Sequence, residues 1–266
     1  MTDPWIWGAF TARMLGTAFV VIAISWISVR AGPRIGGVIV GLPIVLAPGL
    51  GFMLLDQSGD FVAAAAAGAL YSLAATQVFL LVFVALAQRS GPFASVAGAA
   101  LAWLCLAIPL SLLQHPLLVG ALLFAAVTMT ARRIGLFWVA GTDAKAAATK
   151  WGLMALRGIL AGILVGAVTL GASVLGAGFS GALVAFPIGF TVIAISLHLD
   201  HGGAFAAQTA YAGLTGMSSL AIFCLCLALL LQHLPGGMAF ALALAASVLA
   251  TLVMTMMARR RAQGRS

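Results

Sequence analysis

Glutamate is absent from this chain, and its acidic residues are five aspartates among 266 positions. Carboxylate catalysis needs two acids held close together, and a hydrolytic zinc helix needs His-Glu-x-x-His. The zinc motif does not occur, no acidic pair is expected to be held close together inside the bilayer, and there is no glycine-rich phosphate loop. These absences argue against an enzyme and leave no residue set that calls for a cofactor. Cysteine is scarce as well: Cys105, Cys224 and Cys226 all lie in apolar stretches, and the last two, at i and i+2, face away from each other on a helix. They read as packing residues, with no disulfide and no metal. A basic leader followed by a small-residue cleavage site is missing too, so the first apolar stretch is expected to be retained. Charged residues make up 7% of the chain, which leaves little for a solvated surface.

What is present is apolar. At 64% hydrophobic residues and a mean hydropathy of +1.19, the chain carries more apolar surface than a soluble domain of this length can bury, so the lipid bilayer is its expected solvent. The net charge of +8 suggests topology rather than nucleic acid, because the basic residues cluster at the ends of apolar runs. The fold class expected is an all-α polytopic membrane protein of about nine spans, near 12–30, 35–55, 61–88, 93–113, 116–131, 152–175, 178–199, 203–232 and 236–258. Arg30, Arg34, Arg89, Arg132, Arg133, Lys145, Lys150 and the arginines after 258 follow odd-numbered spans. The positive-inside rule therefore puts the N-terminus outside and the C-terminus inside a bacterial cytoplasmic membrane. The stretch 134–150 is too polar to span and is expected as an interfacial helix or surface loop.

Residues 13 to 80 recur without a gap at an offset of 144 positions, and the rare residues match: Arg13 with Arg157, Pro43 with Pro187, Asp56 with Asp200, Phe61 with Phe205. Five spans precede the second copy, so that copy should lie upside down, giving four spans, one linking span and four inverted spans. The divisions expected are 1–113, 114–151 and 152–266.

Spans two and seven break the helix rule. Pro43 and Pro48 with five glycines fall inside one crossing, and Pro187 with Gly189 inside the other. Each proline frees backbone groups that lipid cannot satisfy, and interrupted helices at corresponding places in two halves point to a transport site. The alternative is a kink that serves helix packing. Tyr71 and Thr76 on span three and Gln208, Tyr211 and Thr215 on span eight are polar groups expected to face the bundle, as solute lining or as interhelical hydrogen-bond glue. Arg13 and Arg157 stand at equivalent span starts, as entry and exit contacts for an anionic or zwitterionic solute or as interfacial anchors. Asp56, His198 and Asp200 are the candidates for ion coupling. Gly158, Gly162 and Gly166 form a small-residue stripe suited to packing within the bundle or between the protomers of a homodimer.

The run from Arg34 to Pro43, followed by Pro48 and the Asp-Gln-Ser-Gly-Asp turn, resembles the glycine-proline segment of the small four-span bacterial inner-membrane proteins of the GlpM type. Each half of the chain is similar to one such protein in length and span number, so the whole looks like a fused tandem of them. The second copy departs from the pattern, with Val192 where Pro48 would be repeated. That family's association with alginate production implies a second reading, a non-transporting partner or assembly factor for envelope polysaccharide synthesis. The four-plus-one-plus-four plan is also similar to that of drug/metabolite transporters. The function expected is secondary transport of a small solute by alternating access, with a lipid or polyprenyl carrier translocase and a narrow anion channel as further alternatives.

Overall fold

The computed structural model describes residues 30–40, 42–43, 46–140 and 187–263, with single positions among the first 29. Among the described residues the secondary structure is helical throughout. In chain order the helices are α1 (Pro33–Val40), α2 (Leu46–Asp56), α3 (Gly59–Leu86), α4 (Pro92–Ser111), α5 (Leu117–Val139), α6 (Ile188–His201), α7 (Gly203–Leu230) and α8 (Gly236–Gln263). Five of them are long and apolar enough to cross a bilayer: α3, α4, α5, α7 and the part of α8 from Gly236 to Met257. The expected spans at 12–30 and 152–175 fall largely or wholly outside the described residues.

Burial separates the inner helices from the outer ones. In the most apolar part of α3, 61% of residues are buried and in that of α7, 56%, against 28% for α4 and 22% for α5 and α8. A helix apolar all round belongs in the middle of a bundle, and α3 and α7 are of that kind. They run antiparallel. Gly59 lies beside Leu231 at one end, Gln77 bonds the Leu214 carbonyl midway, and Gly203 meets the Ala87 carbonyl at the other end. Both helices have 28 residues, and their starts, like those of α4 and α8, are separated by the same offset as the sequence repeat. Helix α4 packs on α3 and α8 on α7, while α5 touches both central helices. The shorter pieces fill the flanks: α1 on α7 and α8, α2 on α3 and α8, α6 on α7 and α4.

Phe79, Phe83, Trp103, Phe205, Phe223 and Leu214 are fully buried where these helices meet, and Leu101, Leu118, Leu122, Phe137, Leu249 and Met256 are exposed on α4, α5 and α8. An apolar exterior around an apolar interior suits lipid, where helices associate through close packing and hydrogen bonds. Between α7 and α8 the Ser219 hydroxyl donates to the Ser247 carbonyl at 3.1 Å, lies 2.8 Å from Ser247 Oγ and accepts from Thr251 Oγ1 at 2.7 Å.

One expectation is corrected here. Residues 134–139 do not form a separate interfacial segment: α5 runs on through Arg132 and Arg133 to Val139. No proline interrupts that stretch, and the end is held by Gln88 Nε2, which donates to the Trp138 carbonyl at 2.6 Å. Residues 141–150 lie outside the described residues.

Candidate functional site

Span two is two helices, not one. Helix α1 ends at Val40, Leu42 and Pro43 form a bend, and α2 starts at Leu46. Proline brings no N–H, so its carbonyl restarts the ladder: Ala47 N–H donates to Pro43 O at 2.8 Å. Pro187 does the same for α6, accepting from Thr191 N–H at 3.0 Å. Both prolines are buried. Helices α2 and α6 thus each have an N-terminal turn that begins next to a buried proline, with a positive dipole end there.

The polar candidates are placed as follows. Tyr71 O–H donates to the Pro116 carbonyl at 3.0 Å, and its ring meets His115 edge-on with centroids 4.8 Å apart. Thr76 Oγ1 accepts from Trp103 Nε1 at 3.2 Å and donates to the Ser72 carbonyl at 3.0 Å. Tyr211 O–H donates to the Arg132 carbonyl at 3.1 Å. Gln208 and Thr215 are half-buried on α7. The two tyrosines therefore grip α5 at points roughly 24 Å apart, at about 1.5 Å per residue, and do not meet at one midplane position. Arg13 and Arg157 lie outside the described residues. Asp56 is the last residue of α2, and Asp200 sits half-buried in the last turn of α6.

Gln77 is a bulky polar side chain placed in the core. It is fully buried, with Nε2 donating to Thr128 Oγ1 at 2.7 Å and to the Leu214 carbonyl at 3.0 Å, so one amide ties α3, α5 and α7 together. Its Oε1 has no hydrogen-bond partner among the described residues, and the same holds for Thr191 Oγ1 one turn after Pro187. The signal for Gln77 is readable in the sequence, as a glutamine midway along an apolar run. Thr128 carries no comparable signal, because a threonine in an apolar helix commonly bonds its own backbone.

His198 joins α6 to the end of α3. Its Nε2 lies 2.8 Å from the Ala87 carbonyl and 3.2 Å from that of Ser90. Both partners are acceptors, so this nitrogen carries the hydrogen. Beside it, Gln88, Arg89, Ser90, Gly203 and Ala204 line an open pocket of about 360 Å³. A second gap of about 20 Å³ lies between Leu80, the Phe190, Ile193, Ala194 and Leu197 face of α6, and Ala206, Thr209 and Ala210 of α7. Among the described residues no three His, Cys, Asp or Glu side chains gather as a metal site.

The chain matches no protein-family model, no curated protein and no solved structure. The fold of the described residues defines a class: helical, with several helices fit to cross a bilayer, the form of a multi-pass integral membrane protein.

Proposed function

We infer that the chain is a secondary transporter of a small solute in the bacterial cytoplasmic membrane, built as an inverted repeat and working by alternating access. The carrying observation is the pair of helix starts just after Pro43 and Pro187, at equivalent places in the duplicated sequence. The antiparallel contact of α3 with α7 supports inversion. The contact of Gly203 with the Ala87 carbonyl and that of Gly59 with Leu231 exchange when each residue is moved by the repeat offset. A two-fold axis in the membrane plane produces that relation. Arg13 and Arg157 at the span starts favour an anionic or zwitterionic solute.

The close packing among the described residues favours the second reading, a non-transporting partner for envelope polysaccharide synthesis. Tyr71, Thr76 and Tyr211 are bonded within the bundle, and the gap between α3, α6 and α7 has room for about one water molecule. Proteoliposomes containing this protein alone separate the two. Uptake of a mixed panel of radiolabelled organic anions and zwitterions above that of protein-free vesicles supports transport, and none across the panel supports the partner role.

A further inference from the structure

Helix α6 has a joint at each end. Pro187 starts it without an N–H bond to what precedes, and Gly202, at φ +84°, turns the chain directly into α7. That backbone angle strains any residue with a Cβ, so the corner depends on glycine. Between the joints, the Phe190, Ile193, Ala194 and Leu197 face covers Thr209 and Ala210 of α7 but leaves a gap of about 20 Å³. In the last turn His198 reaches the Ala87 and Ser90 carbonyls, which lie beyond the end of α3 where no further helical N–H is available. One imidazole N–H from α6 thereby caps a different helix. The equivalent residue in the first copy is Leu54, which lies against Gly236 and has no such donor.

We propose that α6 is a gate hinged at Pro187 and that His198 is its latch, holding the Arg89 end of the bundle closed by bonding the Ala87 and Ser90 carbonyls just past the end of α3. The gate deepens the transport reading and rests on it, since alternating access needs one helix to move against a fixed frame. The fixed part is α3, α5 and α7, bonded through Tyr71, Gln77 and Tyr211. Opening α6 uncovers Thr209 and Ala210 and joins the small gap to the open pocket beside Arg89. Because leucine stands at the equivalent position, the two ends of the molecule open with unequal ease.

The test reads opening directly and needs no solute. In a background lacking Cys105, Cys224 and Cys226, a single cysteine replaces Ala210, which is buried under α6. A second protein carries its cysteine at Ala75, fully buried on α3. Maleimide labelling rates are measured in detergent, where the reagent reaches both faces. His198→Leu is expected to speed labelling at position 210 by about tenfold, the factor given by roughly 1.4 kcal/mol of lost closing free energy. It should leave position 75 unchanged. His198→Gln, whose amide N–H can replace Nε2–H, should stay within about twofold of the native rate. Gly203→Ala supplies a second route if the leucine variant does not fold. Its added Cβ would run into the Ala87 carbonyl and crowd His198 Nε2, so it should open the latch with the histidine still present. Equal rates at position 210 in native and latch-broken proteins overturn the gate, as does equal acceleration at both positions, which marks general loosening. Labelling that responds while proteoliposome uptake is absent leaves the gate standing and removes the transport reading. Uptake with unresponsive labelling does the reverse.

Discussion

Gln77 shows what a single polar side chain does inside this bundle. A glutamine amide offers two donors and an acceptor oxygen, and Gln77 commits its nitrogen to Thr128 and Leu214 while Oε1 remains without a partner among the described residues. An orphaned buried acceptor costs about 1–3 kcal/mol, which largely offsets the two bonds. Gln77→Leu should therefore shift the detergent melting temperature little, whereas Thr128→Val, which keeps the orphan and removes one bond, should lose about 1 kcal/mol. Thermal melts of the two purified variants decide this, and the reverse order would mean that Oε1 is satisfied in the protein. The arginine pair belongs to the same scale. Losing a charged hydrogen bond of about 1.5–3 kcal/mol corresponds to roughly ten- to a hundredfold in flux. Arg13→Gln and Arg157→Gln should each reduce uptake to that degree with melting temperature nearly intact, and Arg→Lys should keep part of it. Unchanged flux in both glutamine variants would make these residues interface anchors. Tyr71 and Tyr211 were legible as polar residues in apolar helices, but their partners were not, because the Pro116 and Arg132 carbonyls belong to a helix distant in the chain.

Among the elements, the short half-helix α1 depends most on the absence of side chains. A Cβ on Gly216 would run into the Val38 and Gly37 carbonyls, and one on Gly37 into the Thr209 carbonyl, so the two backbones touch. On Gly213 the added Cβ would find ordinary contacts, 3.5 Å from Phe190 and 3.6 Å from Leu80. Gly216→Ala should accordingly destabilise by about 1–3 kcal/mol through overpacking, while Gly213→Ala should melt close to the native protein. Equal melting temperatures would show that α1 can shift at no cost. The split of span two was legible from Pro43, since the missing N–H is a property of that residue alone. The use of the neighbouring glycines was not. Their pattern signals a weak helix, and only the position of α7 turns Gly37 into a contact point.

At the scale of the whole molecule, the described helices are organised around the antiparallel pair α3 and α7, with α5 bonded to both. Opposite direction in α3 and α7 requires an even number of crossings between them, four in the expected nine-span plan, and that makes topology measurable. Single cysteines at Ser58 and Gln114, both exposed, should react with an impermeant maleimide from outside intact cells, and one at Lys145 only after the inner face is opened. Ser58 and Lys145 on the same side would end the inverted arrangement.

The sequence by itself determined the solvent, the helical class, the extents of α3, α4, α7 and α8 to within a few residues, and the break at Pro43. Each of these depends on local quantities: hydropathy over about 20 residues, backbone N–H groups present or absent, and helix signals a few positions apart. Only the tertiary structure decided which polar groups meet. Tyr71 finds its acceptor 45 residues away, Gln77 137 away and His198 111 away. No periodicity records those pairings, because a hydrogen bond across helices needs two surfaces placed to within a fraction of an ångström, and that placement is settled by the packing of the whole bundle.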